Sequence, residues 1–322
     1  MPPRCYLPYL ILLVSLASTA LSAQEDRELS ATHIEGPAFE RPHSAVRNIF
    51  TVSSEADEVQ VRFIATDRAG RSVPQLRVSD VDVLTDENFS PQIKSFGTLR
   101  AAPITLGFLV DLSDSIRPEM YTNLASFSDS IGKILQSNRD REFVVAFSSN
   151  VELLQPPTAD FSQVKRALER GSAHNLTSLY DAIVRTCREQ FGALSGSGDE
   201  TRVIVLFSDG MDNLSIHSLD DAVDAAVNAG VSIYAIAQQF GDLKGRQILE
   251  QLAERTGGGL ELLRRKESPD RSVAEIQALA NDEYTLSFRP LNRRPGFHPI
   301  ELRATKPSLV LHARKGYYVD QK

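Results

Sequence analysis

The sequence has little cysteine: only Cys5 and Cys187 occur in its 322 residues. Cys5 precedes an apolar stretch in a segment that we expect to be removed, which leaves Cys187 alone in the mature chain. An internal disulfide is then excluded, and so is a zinc site built from cysteine and histidine ligands. We therefore expect stability to come from apolar cores, together with any metal that the protein binds.

The sequence also lacks a surplus of basic residues. It contains 35 lysines and arginines against 42 aspartates and glutamates, a formal net charge of −7. Proteins that bind nucleic acid use lysine and arginine to neutralise phosphates. The charge balance argues against nucleic acid as a partner.

Long apolar runs are confined to one place near the start. Arg4 is followed by a mostly apolar run over residues 7–21 and then by small residues, a pattern typical of a secretory signal peptide cleaved near Ser22 or Ala23. An uncleaved anchor helix is the alternative, although the run is short for a bilayer span. We interpret 1–23 as a signal peptide. The mature protein is then exported, to the periplasm or the medium, and has no stable membrane span.

Hydrophobic periodicity divides the rest of the chain. Residues 24–49 are polar and predict a flexible lead-in, whereas 50–100 alternate apolar and polar residues as antiparallel strands do. Buried strands then alternate with amphipathic helices over 101–282, which predicts an α/β, Rossmann-like, doubly wound and mostly parallel sheet. Alternation returns in 283–322. We expect the two β segments to form one small β-sandwich with the α/β domain inserted between them; two separate β units are the alternative.

One stretch suggests a metal site. A buried strand, Leu106–Val110, runs into Asp111, Ser113 and Ser115, which place oxygen atoms at alternate positions where the chain leaves the sheet. Oxygen ligands of this kind suit a hard cation such as Mg²⁺. An ordinary Asp/Ser turn is the alternative reading of this stretch alone.

Two later positions reinforce the metal interpretation. The buried strand Val203–Phe207 is followed by Asp209, and Thr177 stands just before a predicted helix. Ligands of open α/β sheets collect at the carboxyl ends of the strands, near the point where the strand order reverses. Together with Asp111, these residues would form an all-oxygen site for Mg²⁺ or Mn²⁺, with Ca²⁺ less favoured.

These residues carry a family resemblance. The stretches Asp111–Ser115, Thr177–Ile183 and Val205–Gly210 resemble the three loops of the metal-ion-dependent adhesion site in von Willebrand factor type A domains. The resemblance covers about residues 102–282 and implies the fold and the binding function of that family. Phe63–Val73 and the closing stretch at 314–318 are similar to exported bacterial proteins that carry this domain between short β segments.

The resemblance implies a role for each site residue. Ser113, Ser115 and Thr177 would coordinate the metal directly, and Asp111 and Asp209 would hold it mainly through waters. Neutral hydroxyls leave the charge of the cation poorly neutralised, so it would attract an anion at its open position. An Asp or Glu side chain of a partner protein would then supply the sixth ligand.

The sequence departs from the family pattern beside Thr177. Family members often have glycine before the threonine, whereas Asn175 and Leu176 stand here, after His174. Asparagine tolerates unusual backbone angles, so we expect the loop to form, with the larger side chains narrowing ligand access. We interpret His174 as a loop-surface residue rather than a ligand. Three further residues, Asp114, Asp212 and Asn213, are interpreted as the border of the site rather than metal ligands.

Two other functions compete with metal-dependent binding. A hydrolase would need a Gly-x-Ser-x-Gly elbow or a denser set of carboxylate and histidine ligands, and the sequence has neither. A structural envelope scaffold that has lost its metal is the second alternative. Since all five expected site residues are present, we predict a binding module without catalysis of its own.

Overall fold

The computed structural model describes residues 58–68, 70–86, 89–99, 102–113, 118–136, 138–168, 176–192, 200–264 and 267–319. The predicted signal peptide, the lead-in, Asp114, Ser115, His174 and Asn175 lie outside these ranges. None of the helices within them is long and apolar enough to cross a membrane.

Along the chain, an N-terminal β segment is followed by an α/β part and then by a C-terminal β segment. The strands are β1 (Val59–Asp67), β2 (Val81–Thr85), β3 (Ile93–Leu99), β4 (Ile104–Asp111), β5 (Arg141–Phe147), β6 (Val151–Thr158), β7 (Thr201–Phe207), β8 (Val231–Gln238), β9 (Leu260–Leu263), β10 (Glu283–Phe288), β11 (Gly296–Ala304), β12 (Leu309–Ala313) and β13 (Gly316–Val319). The helices are α1 (Pro118–Ile131), α2 (Phe161–Leu168), α3 (Leu179–Thr186), α4 (Leu219–Asn228), α5 (Leu243–Thr256) and α6 (Asp270–Asp282).

Six strands form the central sheet in the order β6-β5-β4-β7-β8-β9. All neighbours are parallel except β5 and β6, which pair antiparallel. The chain winds outward from β4 in both directions, so the strand order reverses between β4 and β7. In doubly wound sheets this reversal opens a crevice at the carboxyl ends of the two strands. The predicted fold class is confirmed.

Both faces of this sheet are covered by helices. Side chains alternate along β4, so Phe108 contributes to the core under α1, α2 and α6, while Leu109 contributes to the core under α3, α4 and α5. Gly107 shares the face of Leu109. A Cβ atom at Gly107 would come within 2.2 Å of the Phe143 ring, so the glycine makes room for this aromatic side chain. Cys187 packs in the same core as Phe143, as expected for a small apolar residue.

The N- and C-terminal β segments pack together. One antiparallel sheet has the order β12-β1-β10-β3, and a second has the order β13-β11-β2. Side chains of both sheets, including Phe63, Val83, Leu286 and Tyr317, share one core. The alternative of two separate β units is therefore wrong, whereas the exact domain boundaries stay a prediction.

Two elements of the α/β part are irregular. β6 runs through Pro156 and Pro157, because an edge strand tolerates residues without an N–H donor. α3 is followed by one π-helical turn, Cys187–Phe191. Helical periodicity of apolar residues does not distinguish these two hydrogen-bonding patterns.

Stability should fall with rising pH because of Glu142, which is 1% exposed on β5. Burial raises the pKa of its carboxyl group from 4.5 to about 8. Between these values the folded state holds a proton that the unfolded state has lost, so folding weakens as pH rises through this window. We expect Glu142→Gln to raise the free energy of unfolding by roughly 1–3 kcal/mol at pH 8, as measured by denaturant titration.

The gain should vanish towards pH 4, where Glu142 is neutral in both states. Glu152→Gln, at an exposed position on β6, is the matched control and should change neither the stability nor its pH dependence. Equal pH profiles for the wild type and Glu142→Gln would contradict this account.

Candidate metal centre and its family

The candidate site lies where β4 and β7 end side by side. Asp111 is the last residue of β4, Ser113 follows two residues later, and Asp209 comes two residues after β7. Thr177 belongs to the segment that leads into α3. The Ser178 hydroxyl and N–H donate to the carbonyl of Ser148, just beyond β5, at 2.6 and 2.8 Å. Four of the five predicted ligands therefore lie at the carboxyl ends of the central strands or on the loops there.

Asp111 is fully buried and held in one orientation. Its Oδ1 accepts from the Ser113 N–H at 2.9 Å, and its Oδ2 accepts from the Ser208 hydroxyl at 2.7 Å. Burial raises the pKa of this carboxyl group to about 6, and the charge of Asp209 adds to the rise, while the bonds from Ser113 and Ser208 oppose it. The two acids are thus close enough to influence each other.

Two hydroxyl-bearing residues are buried at the same edge. The exposed fractions of Ser113 and Thr177 are 3% and 2%. The Thr177 N–H donates to Oδ1 of Asn213 at 2.9 Å, and its carbonyl accepts from the Asn213 N–H at 3.0 Å. Both backbone groups of Thr177 are therefore fixed by the loop that follows Asp209.

Asp212 orders the same pair of loops. Its Oδ1 accepts from the Leu179 N–H at 2.8 Å and from the Ser215 hydroxyl at 2.6 Å. Together with Asn213, it connects the loop after β7 to the start of α3. These two residues border the site and hold its loops in position.

The backbone after Asp209 is fixed by a close approach to α5. Gly210 has a φ of +81°, a conformation that favours glycine, and a Cβ atom there would lie 2.2 Å from the carbonyl oxygen of Gly245. A Cβ atom at Gly245 would in turn lie 2.1 Å from the carbonyl oxygen of Asp209. The Asp209 carboxylate accepts from the Met211 N–H at 2.9 Å. Two glycines thus allow the loop to pack directly on the first turn of α5.

The chemistry of this donor set fits a hard divalent cation. No basic side chain in the described part of the chain forms an ion pair with Asp111 or Asp209. Two neighbouring acids, with buried hydroxyl-bearing residues at the same end of the sheet, offer oxygen ligands and a negative charge that no ion pair balances. The described residues hold no group of three or more histidine, cysteine, aspartate or glutamate side chains suited to a metal. A metal here would therefore depend on the hydroxyls.

The family comparison agrees with this geometry. Residues 106–211 match the family model of the von Willebrand factor type A domain. These residues of the chain are thus similar to a von Willebrand factor type A domain. The matched residues run from β4 to the loop after β7 and include Asp111, Thr177 and Asp209. A comparison with curated proteins finds no match.

Several solved structures are similar to part of this chain. Proximal thread matrix protein 1 from the mussel byssus, with a zinc-occupied MIDAS motif, is 20% identical with a TM-score of 0.44; the match covers 57% of this chain and 48% of that one. BatB from Bacteroides thetaiotaomicron is 17% identical, with a TM-score of 0.42 and coverages of 54% and 95%. Manganese-loaded TRAP protein from Plasmodium vivax is 14% identical, with a TM-score of 0.43 and coverages of 69% and 96%. The chain thus spans about half the length of the mussel protein.

Sequence reasoning missed three residues that support the candidate site. Ser208 was visible in Ser208-Asp209-Gly210, but its bond to Asp111 depends on the pairing of β4 with β7. Asn213 was interpreted only as part of the border, although it fixes Thr177. Gly245 was not singled out, although a glycine inside a helix such as α5 signals a close approach of another segment.

A methyl group at Gly245 should disturb this loop. Gly245→Ala would place a Cβ atom against the carbonyl of Asp209, so we expect the free energy of unfolding to fall by roughly 1–3 kcal/mol despite the better helix propensity of alanine. Gly97→Ala is the control, because nothing lies within 4 Å of a Cβ atom there. Denaturant titration of both variants tests the contact, and equal stabilities would contradict it.

Proposed function

We propose that this chain is an exported module that binds a protein partner through a divalent cation, Mg²⁺ or Mn²⁺, and has no catalytic activity of its own. The observation that carries the proposal is the buried carboxylate of Asp111 next to Ser113, with Thr177 buried on a loop at the same end of the sheet and no basic side chain of the described residues paired with Asp111. The match to the type A domain over 106–211 supports it independently. The signal-peptide pattern of 1–23 supports export.

The family resemblance divides the ligands into two groups. Ser113, Ser115 and Thr177 would bind the metal directly, and Asp111 and Asp209 through waters. The hydrogen bonds at both oxygens of Asp111 agree with an indirect role, because they already orient this carboxylate. A bound cation would supply an electrophilic centre with an open position for an acidic side chain of the partner.

Binding suits this donor set better than hydrolysis does. Metallohydrolases need a dense first shell of carboxylates and histidines, whereas the ligands proposed here are mainly neutral hydroxyls. His217, in the loop that precedes α4, has its Nδ1 2.7 Å from Asp181 and its backbone N–H bonded to the same carboxylate at 3.0 Å. This histidine thus anchors a loop.

Calorimetric titration of Mg²⁺ and Mn²⁺ into chelator-treated protein tests the site. We expect saturable binding to the wild type and loss of binding in Asp111→Asn, which keeps the shape of the side chain but removes its charge. Thr177→Val removes one hydroxyl ligand and should weaken affinity at least about tenfold.

A matched control exists close to Thr177. Thr186, at the end of α3, is equally buried, and its hydroxyl has no hydrogen-bond partner among the described residues. Thr186→Val should therefore leave metal affinity unchanged. The proposal fails if the wild type binds neither cation, or if Thr177→Val binds as tightly as Thr186→Val.

A further inference from the structure

Large apolar side chains are exposed at the edge of the sheet that holds the candidate metal site. We refer to five of them as the apolar rim: Leu176 (44% exposed), Leu214 (41%), Ile216 (89%), Phe240 (81%) and Leu243 (68%). Three of these are among the four most exposed large apolar side chains of the described residues; the fourth is Leu291. Such concentration of exposed apolar side chains is typical of an interaction surface.

One half of the apolar rim borders Thr177. Leu176 directly precedes Thr177, and the Leu214 N–H donates to the Thr177 carbonyl at 3.1 Å. The Ile216 N–H donates to Oδ2 of Asp181, in the first turn of α3, at 3.2 Å. Since the backbone is fixed by these bonds, Ile216 is held in the solvent.

The other half borders Asp209. Phe240 and Leu243 belong to the connection from β8 into α5, where Asp242 caps the helix by accepting from the Lys244 and Gly245 N–H groups at 2.8 and 3.2 Å. Gly245 in turn packs on the carbonyl of Asp209. The two halves of the apolar rim therefore border different parts of the candidate site, one beside Thr177 and the other beside Asp209.

The charged side chains near the candidate metal site indicate which kind of partner fits. Carboxylates of Asp209, Asp212 and Asp242 lie among the apolar side chains, and the exposed cations Lys244 and Arg246 are fewer than the acids. The whole chain has a net charge of −7. Without a metal the named side chains carry no net positive charge, so a bound divalent cation would be the centre that attracts one carboxylate. The arrangement thus favours a protein segment with a single acid among apolar residues.

We infer that the partner presents an Asp or Glu flanked on both sides by large apolar residues, whose side chains pack on the apolar rim while the carboxylate reaches the metal. This inference rests on the proposed function. A carboxylate that approaches between the two halves brings its chain neighbours against Leu214 and Ile216 on one side and Phe240 and Leu243 on the other. Apolar contacts around a central polar contact exclude water from it and strengthen it.

A randomised 12-residue peptide display library, selected on the full chain in Mg²⁺ and eluted with chelator, tests this inference. We expect selected peptides to share an acidic residue with large apolar residues within three positions on both sides. The triple variant Ile216→Ser, Phe240→Ser, Leu243→Ser should bind such a peptide at least about tenfold more weakly. Its affinity for Mn²⁺ should equal that of the wild type, because no rim side chain is a metal ligand.

The matched control is Leu291→Ser combined with Val78→Ser, two exposed apolar positions outside the type A domain. This variant should bind the selected peptides like the wild type. The inference is overturned if the selected acids lack apolar neighbours, if no peptide is selected, or if the rim variant binds the peptides unchanged. It is also overturned if the rim substitutions instead abolish self-association or binding to phosphatidylcholine vesicles.

Failure of the inference is distinguishable from failure of the proposed function. If the wild type binds Mn²⁺ and selects acidic peptides without apolar neighbours, only the partner chemistry is wrong. If the wild type binds no Mn²⁺ and selects no acidic peptides, the proposed function fails, and the inference fails with it.

Discussion

A buried carboxylate at the end of the central strand is the constraint on which the rest of the site depends. Asp111 is fully removed from water, and no described basic side chain compensates its charge. Burying a charge is costly unless hydrogen bonds or a metal stabilise it. Ser113 and Ser208 supply the bonds, and the position of β4 beside β7 brings Asp209 and the loop of Thr177 to the same edge. The sheet topology thus concentrates negative charge where a cation would relieve it.

The loops around Asp111 are held by bonds from side chains to backbone. Asn213 and Asp212 connect the loop after β7 to the start of α3, and the contact between Gly210 and Gly245 fixes the same loop on α5. The residues of the apolar rim belong to these loops or directly adjoin them. Because these loops are already ordered, less conformational entropy is lost when a cation or a partner binds.

Much of this fold follows from local sequence. Apolar runs ending in Asp111 and Asp209, alternating with amphipathic helices, predicted the parallel sheet and its carboxyl edge. The sandwich followed because neither β segment could close a core alone, but which strands pair, such as β1 with β10, depends on contacts over more than 200 residues. The bond from Ser208 to Asp111 and the apolar rim were not predictable, because burial and exposure of a side chain such as Ile216 are decided by packing. Ser115, outside the described residues, stays a prediction.

The measurement that tests the central claim most directly is an anomalous-diffraction map of crystals soaked in Mn²⁺. We predict one strong peak within about 2.5 Å of the hydroxyls of Ser113 and Thr177, with Asp111 and Asp209 nearby. A peak bound elsewhere, or no peak at this edge of the sheet at saturating Mn²⁺, would contradict the account.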